Sequence, residues 1–105
     1  MIQTLSALAE PNRLAIVELL RDGPRSVNDI VARLGLSQPL VSKHLKVLSD
    51  VAIVDRRVDG KRRIYALEQG RFTELDRWLD TFAELWAARL DRLQAHIDDE
   101  EGTRP

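Results

Sequence analysis

The segment Ser37–Leu48, SQPLVSKHLKVL, constrains the fold of this chain more than any other part of it. At about 100° per residue along a helix, Val41 and Leu45 fall on one apolar side that has to be buried. The opposite side carries amide, hydroxyl and ammonium groups, among them those of Gln38 and Lys43. Such groups suit the base edges and phosphates of DNA. An ordinary amphipathic surface helix would show the same periodicity, so the flanking sequence has to decide.

The preceding segment predicts a second helix and a turn. Ser26 is a good N-cap for a helix over residues 27–34, whose apolar residues repeat with helical spacing. Gly35 supplies the left-handed conformation that ends a helix, and Ser37 caps the next helix with Pro39 in its first turn. Two helices joined by a short turn containing glycine form a helix-turn-helix arrangement. An αα-hairpin in a plain helical bundle would share this outline.

The segment after the second helix changes its period from helix to strand. Two β-prone runs flank the dipeptide Asp-Gly at residues 59–60, which predicts a tight hairpin. With these two residues as the loop, Arg57 lies opposite Arg62 and Arg56 opposite Arg63. Like charges in such positions are destabilising unless solvent screens them or a polyanion neutralises them. The pattern therefore indicates a wing that contacts phosphates, although a charge-protected, exposed hairpin edge would look the same.

The basic residues are concentrated in the same part of the chain. The whole sequence has 16 basic and 17 acidic residues and a formal net charge of −1, which alone indicates no nucleic acid. Residues 37–65, however, carry seven bases against three acids, while residues 66–105 carry five bases against ten acids. One basic face on an otherwise balanced protein is the electrostatic pattern expected of a DNA-binding protein.

Three motifs together resemble those of a known family. They are ALAEPNRLAIVELL at residues 7–20, GLSQPLVSKHLKVL at residues 35–48 and GKRRIY at residues 60–65. In this order and spacing they are similar to the ArsR-type winged-helix transcriptional regulators of bacteria and archaea. The resemblance implies a mainly α fold with a small β-hairpin, arranged as a winged helix-turn-helix in the order α-α-α-α-β-β-α, with a homodimer formed through the terminal helices.

The resemblance also implies a function. Members of this family are typically dimeric repressors that bind imperfect inverted repeats in double-stranded DNA near promoters, usually their own among them. Residues 38–49 would form the helix that enters the major groove, and the wing of residues 54–66 would lie on the flanking backbone or in the minor groove. The resemblance and the side-chain chemistry nominate these DNA contacts: Ser37, Gln38, Pro39, Ser42, Lys43, His44, Lys46, Arg56, Arg57, Lys61, Arg62, Arg63 and Tyr65.

The side chains suggest different roles within this set. Gln38 and Ser42 can read base edges, whereas Lys43 and the arginines of the wing neutralise phosphates. Tyr65 can donate its hydroxyl to a phosphate or pack as a strand aromatic. His44 lies toward the core side of its helix, so both local hydrogen bonds and a DNA contact are open to it.

The last third of the chain predicts one long amphipathic helix. Apolar residues recur every three or four positions from Arg71 to about Asp98, which corresponds to about 28 residues and a helix of roughly 42 Å. A chain of this length cannot bury such a stripe against itself, and the N-terminal residues carry a second, short stripe. We expect the two stripes to form a dimer interface that sets two recognition helices about 34 Å apart on a pseudo-palindromic operator. A long helix folded over its own core, or another oligomeric contact, would also satisfy the pattern. The predicted interface residues are Ile2, Leu5, Leu8, Phe72, Leu75, Leu79, Phe82, Trp86, Leu90 and Leu93.

The sequence departs from the metal-responsive members of the family. It contains no cysteine, so the thiolate ligands that such members carry in the helix before the recognition helix, here residues 26–31, are absent. His96 with Asp99 and Glu100 forms a conceivable but weak cluster on the last helix. We therefore predict a member of the metal-free branch, with no metal and no cofactor. The sequence does not identify a small-molecule inducer.

Composition limits the remaining possibilities. With 105 residues, 44% of them hydrophobic, the chain predicts one domain over residues 1–98, followed by an acidic, disordered tail over residues 99–105. No apolar run has the length of a signal peptide or membrane span, so we expect a cytoplasmic, nucleoid-associated protein without a membrane partner. No set of catalytic groups is recognisable, which argues against an enzyme. The alternative to a sequence-specific DNA-binding regulator is a winged-helix protein-interaction module without such binding.

Overall fold

The computed structural model describes the backbone of residues 1–102 and the side chains of residues 1–99. Within this part of the chain the helices and strands fall into two compact units, residues 1–72 and the residues from Thr73 onward. The predicted mainly α fold with a winged helix-turn-helix is confirmed. In chain order the elements are α1 (Ile2–Leu8), α2 (Pro11–Leu20), β1 (Arg25–Ser26), α3 (Val27–Leu34), α4 (Gln38–Asp50), β2 (Val54–Asp59), β3 (Arg62–Leu67), α5 (Gln69–Asp80) and α6 (Ala83–Gly102).

A hydrophobic core holds the first unit together. Helices α1 to α4 and strands β2 and β3 all contribute to it, and Ile16, Ile30 and Leu45 are fully buried. Complete burial of one such side chain stabilises the folded state by about 1.5–3 kcal/mol. The core residues are Ala7, Ile16, Val17, Leu20, Ile30, Val41, Leu45, Leu48, Ile53, Val54 and Tyr65.

The helix-turn-helix of α3 and α4 begins and ends where its local sequence dictates. Ser26 Oγ accepts a hydrogen bond from the backbone N–H of Asp29 at 3.1 Å, and Ser37 Oγ accepts one from the backbone N–H of Leu40 at 3.3 Å. These bonds satisfy N–H groups that have no carbonyl partner within the first turn of a helix. Gly35, with φ of 66°, ends α3 in the left-handed conformation. The predicted caps and turn are therefore confirmed.

The wing belongs to a three-stranded antiparallel sheet. The strand order is β1-β3-β2, and β1 pairs with the middle of β3, with Arg25 opposite Tyr65 and Ser26 opposite Ile64. The sequence does not predict this third strand, because two residues are too few to give a periodic signal. Since α3 starts at the residue after β1, this pairing attaches the first turn of α3 directly to the wing.

The hairpin turn lies one residue further along the chain than the sequence predicts. Gly60 and Lys61 form the loop, and Asp59 lies opposite Arg62 as the last cross-strand pair. Gly60 has φ of 62°, the positive value that a type II′ turn requires at the first of its two loop positions.

The predicted pairs of opposed arginines are consequently wrong. Arg57 lies opposite Ile64 and Arg56 opposite Tyr65, so neither faces an arginine of β3. Directly opposed like charges destabilise a hairpin. The shifted register avoids them while keeping all the basic residues on the wing.

The predicted continuous helix over residues 71–98 is also wrong, because the chain breaks its helical pattern at Thr81 and Phe82. The backbone N–H and Oγ1 of Thr81 both donate to the carbonyl oxygen of Trp78, at 3.2 and 2.6 Å, and the N–H of Phe82 donates to the carbonyl oxygen of Leu79 at 3.0 Å. These bonds span three residues in place of four, which tightens the last turn and ends α5. The rings of Trp78 and Phe82 meet edge to face, with their centroids 5.1 Å apart.

Helix α6 carries an exposed apolar stripe. Trp86, Leu90 and Leu93 are 59%, 63% and 55% exposed in the protomer, and the Arg89 guanidinium lies 5.4 Å from the centroid of the Trp86 ring. The helix continues through residues 99–102, the first part of the predicted acidic tail, and the disorder of that tail stays a prediction. The rest of that tail, residues 103–105, lies outside the described residues. No helix in the described part of the chain is long and apolar enough to cross a membrane.

Candidate nucleic-acid interface

Helix α4 presents one polar and basic face to solvent. Its apolar side is fixed in the core by Val41, Leu45 and Leu48, each of which is completely buried. Because these three buried residues lie along about two turns of the helix, the rotation of α4 about its own axis is determined. The residues that this rotation leaves exposed include Gln38, Pro39, Ser42, Lys43 and Lys46.

His44 lies on the buried side of α4, not on the exposed face. It is only 7% exposed, and its Nε2 is 3.7 Å from Oε2 of Glu10. Within residues 1–99 its Nδ1 has no hydrogen-bond partner. Of the two roles that the sequence leaves open for His44, the interior one corresponds to this position, since its helical angle is close to that of the core residues.

Glu10 connects α4 to the junction of α1 and α2. It is the N-cap of α2, and its Oε2 accepts a hydrogen bond from the backbone N–H of Arg13 at 2.8 Å. Arg13 Nε in turn donates to the carbonyl oxygen of Ala7 at 2.7 Å. Partial burial raises the pKa of the Glu10 carboxyl, but hydrogen bonds from the backbone N–H groups of Arg13 and Asn12, together with the nearby His44 imidazole and Arg13 guanidinium, outweigh it. The pKa therefore lies below its usual value.

The first turn of α3 is held by a cluster of ion pairs. Arg25 Nη1 lies 2.8 Å from Asp29 Oδ2, and Arg33 Nε lies 3.2 Å from the same oxygen. Arg25 Nε also donates to the carbonyl oxygen of Leu19 at 3.3 Å, which ties β1 to α2. The hydrogen bond from Arg25, followed by the charge of Arg33, lowers the pKa of the Asp29 carboxyl. The start of α3 is thus anchored to both the sheet and α2.

The wing displays its basic residues to solvent. The exposed cations are Arg56, Arg57, Lys61, Arg62 and Arg63. Tyr65, which the sequence also nominates as a DNA contact, is only 7% exposed and belongs to the core, as expected of a packed strand aromatic.

Two grooves flank the wing where it meets the helices, and they share Ser42 and Arg63. The first, which we name the cationic groove, has a volume of about 270 Å³ and runs between the starts of α3 and α4 and the tip of the wing. Three cations line it, and no acidic side chain among the described residues does. Its lining residues are Ser26, Val27, Asn28, Gln38, Ser42, Lys61, Arg62 and Arg63.

The second groove, which we name the mixed-charge groove, has a volume of about 690 Å³ and runs between the C-terminal half of α4 and the base of the wing. It combines cations with two carboxylates. Lys46 Nζ is 3.3 Å from Asp50 Oδ2, and Arg57 Nε is 3.7 Å from Asp55 Oδ2, so both acids already neutralise cations of the predicted DNA surface. The lining residues are Ser42, Lys46, Ser49, Asp50, Asp55, Arg56, Arg63 and Tyr65.

Sequence reasoning missed the contribution of α3 to this surface. Ser26 is recognisable from the sequence as a helix cap, but its position beside the wing follows from the pairing of β1 with β3. Asn28, an exposed amide in the first turn of α3, lines the cationic groove for the same reason. An asparagine two residues after the capping serine, in the first turn of α3, is the one local signal that could have pointed to it.

The described residues contain no group of three His, Asp or Glu side chains placed to hold a metal ion. Of the conceivable cluster on α6, the side chain of Glu100 lies outside the described residues, and the backbone of His96 and Asp99 is helical.

Comparison with known proteins identifies the family. The model of the bacterial regulatory protein, arsR family, matches residues 10–56. The HTH-type transcriptional regulator Rv2034 of Mycobacterium tuberculosis is 40% identical over 94 residues, which are 90% of this chain and 85% of that protein. The crystal structure of the ArsR family transcriptional regulator RHA00566 superposes with a TM-score of 0.71 at 30% identity, over 81% of this chain and 93% of that one. The chain belongs to the ArsR family.

This ArsR-family protein is accordingly a DNA-binding regulator of transcription, as the sequence predicts, and its family is not one of enzymes. A further structural relative is Mb0332 from Mycobacterium bovis, whose homodimeric winged helix-turn-helix DNA-binding domain was determined by NMR. It matches with a TM-score of 0.66 at 28% identity, over 79% of this chain and 77% of that one. Homodimerisation is typical of the ArsR family.

Proposed function

We propose that this regulator binds a pseudo-palindromic operator as a homodimer, with α4 of each protomer in the major groove and the wing on the flanking backbone or in the minor groove. One observation carries the proposal: the exposed face of α4, the cationic groove and the wing form a continuous polar and basic surface. The cationic groove is lined by cations and neutral polar groups, and such a lining can neutralise a polyanion. The buried anchors of α4 hold that surface in one orientation.

The exposed residues divide into base-reading and phosphate-binding groups. Gln38 and Ser42 carry neutral donors and acceptors near the start of α4, the end of a recognition helix that contacts base edges in this motif. Lys43 and the wing cations carry full charges suited to phosphates. The buried positions of His44 and Tyr65 favour structural roles for both residues.

We propose that the dimer forms through the terminal helices. Large apolar side chains of α1 and of the region from α5 to α6 are exposed in the protomer: Ile2, Leu5, Leu79, Phe82, Leu85, Trp86, Leu90, Leu93 and Ile97. An exposed stripe of this size on one helix marks an interaction surface. Leu8 and Phe72, which the sequence also assigns to the interface, are partly buried against the core of their own protomer. The homodimeric state of the domain of the M. bovis relative supports dimerisation.

We further propose repression as the outcome, because a dimer seated across a promoter excludes polymerase from the same DNA. We also propose that this protein belongs to the metal-free branch of the family, since its sequence contains no cysteine that could supply a thiolate ligand. Footprinting on the promoter upstream of its own gene with and without Zn²⁺ tests this point. Protection that is lost on adding Zn²⁺ would refute it, whereas unchanged protection is the expected result.

The operator model is tested by selecting binding sites from random duplexes. We expect inverted repeats whose half-sites are about 10 base pairs apart, one turn of DNA. Gln38→Ala should cost about 1–3 kcal/mol at one base position and relax the preference there, whereas Lys43→Ala should weaken binding to every duplex alike. Selected sites without two-fold symmetry would contradict the dimer model. Equal binding to selected and scrambled duplexes would instead favour the protein-interaction module.

The dimer interface is tested separately by sedimentation velocity. Leu90→Ser removes an apolar contact from the exposed stripe and should shift the protein toward monomer at low micromolar concentration. Asp91→Ser, an exposed position on the side of α6 away from the apolar stripe, serves as the matched control and should leave the dimer intact. If both variants remain dimeric, the interface lies elsewhere.

A further inference from the structure

The two grooves beside the wing differ in charge although they share two residues. The cationic groove is lined by Lys61, Arg62 and Arg63 together with neutral polar side chains, and no described acid lines it. The mixed-charge groove is lined by Asp50 and Asp55 in addition to its own cations. Three cations less two carboxylates leave the lining of the mixed-charge groove with one formal positive charge, against three in the cationic groove, so a phosphodiester is attracted less strongly there. A strand of DNA that passes the wing therefore has a preferred side.

The wall of the cationic groove opposite the wing is the first turn of α3. Ser26 Oγ lines the groove and accepts the hydrogen bond from Asp29 N–H, so its own O–H remains available as a donor. Asn28 adds an exposed amide with two N–H donors. Neutral donors of this kind commonly bind phosphate oxygens beside arginine and lysine.

The distance between this wall and the wing is fixed by the sheet. Ser26 pairs with Ile64 of β3, and Arg62 lies two residues before Ile64 on the same strand. The cluster of Arg25 with Asp29 holds the turn from the other side. The groove thus exists before DNA arrives, and a preformed site loses less conformational entropy on binding.

We infer that the sugar-phosphate backbone of one DNA strand lies in the cationic groove, between Arg62 on the wing and Asn28 on α3. The strand does not enter the mixed-charge groove. Asn28 is thereby a DNA-binding residue, outside the set nominated from the sequence. This inference rests on the proposed function, because it assumes that α4 and the wing face the same duplex.

The test introduces the same charges on the two sides. Asn28→Lys should tighten binding to the selected operator about tenfold and Asn28→Asp should weaken it about tenfold, since each protomer of the proposed dimer then places one additional charge near a phosphate at the protein surface. Ser49→Lys and Ser49→Asp are the matched controls. Ser49 is also an exposed helical residue but lines the mixed-charge groove, so both variants should stay within about twofold of the parent.

A gain of affinity cannot arise from misfolding, so the lysine variants keep the test decisive. The inference is overturned if the Asn28 variants bind like the parent. It is also overturned if the Ser49 variants change the affinity as much as the Asn28 variants do, or more. Failure of the proposed function gives a different result, in which the parent protein itself shows no preference for any duplex.

Discussion

Removing one wing charge should change the salt dependence of DNA binding by a calculable amount. Arg62 is exposed at the end of the wing, opposite Asp59 in the hairpin register, and within residues 1–99 it makes no ion pair shorter than 4.0 Å. Arg62→Gln therefore keeps most of the side-chain length and removes the charge. The free energy of unfolding should change by no more than about 0.5 kcal/mol, as for other exposed positions. Any large loss of affinity then reports on the contact with DNA.

The magnitude follows from the number of phosphates released. Each phosphate contact contributes about −0.9 to the slope of log K against log salt concentration, and a homodimer loses two such contacts in Arg62→Gln, so the slope should become shallower by about 1.8. Between about 50 and about 200 mM salt the affinity ratio of parent to variant should consequently shrink on the order of tenfold. Titration of a fluorescent operator duplex by anisotropy at several salt concentrations measures both slopes.

Arg21→Gln is the control for this experiment, because Arg21 is an exposed arginine at the end of α2 that lines neither groove. It should leave the slope unchanged. Parallel slopes for Arg62→Gln and the parent would show that Arg62 touches no phosphate, and the wing would have to be removed from the proposed interface. A shallower slope for Arg21→Gln as well would mean that net charge, and not contact, governs binding.

Three further predictions concern the scaffold that presents the interface. Ser37→Ala removes the N-cap of α4 and should lower the free energy of unfolding by about 1 kcal/mol in urea titrations, whereas Ser49→Ala on the same helix should change it by less than about half of that. Leu45→Ala opens a cavity at a completely buried position and should cost about 2–5 kcal/mol, seen as a lower midpoint of thermal unfolding; a loss below about 1 kcal/mol would mean that the core collapses around the site. The pKa of Glu10 is lower in the folded protein than its usual value near 4.5, so its contribution to stability is present above that pH and is lost as the pH falls through the lower, folded value. Glu10→Gln should accordingly flatten the acid limb of the curve of unfolding free energy against pH, and an unaltered limb would show that the N-cap contributes nothing there.

The parts of the fold that the sequence predicts are those set by local chemistry. Ser26, Gly35 and Ser37 specify the ends of α3 and α4 because a cap acts within three or four residues of itself. The rotation of α4 is equally local, since buried residues three and four positions apart define its inner face. This is also why His44 could be recognised beforehand as lying toward the core.

The sequence does not predict those features for which the local pattern allows two structures equally well. Gly60 can occupy either position of a two-residue turn, so the Asp-Gly dipeptide does not determine the register on its own. The apolar spacing runs on through Thr81 and Phe82, so periodicity carries no sign of the break between α5 and α6. The cationic groove arises from the pairing of a two-residue strand with β3, a contact between segments far apart in the sequence, and its wall at Asn28 has no signal of comparable strength.

The turn of the wing also limits how this protein can change over evolutionary time. Arg56, Arg63 and Tyr65 share one face of the hairpin and line the mixed-charge groove, whereas Arg62 is on the alternate face. Successive side chains of a strand point to opposite faces of the sheet. Adding or deleting one residue at Gly60 would therefore exchange the two faces of β3 relative to β2. A single inserted or deleted residue at the turn would therefore place Arg62 on the face that now carries Arg56, whereas a substitution on the wing leaves the faces of its neighbours unchanged.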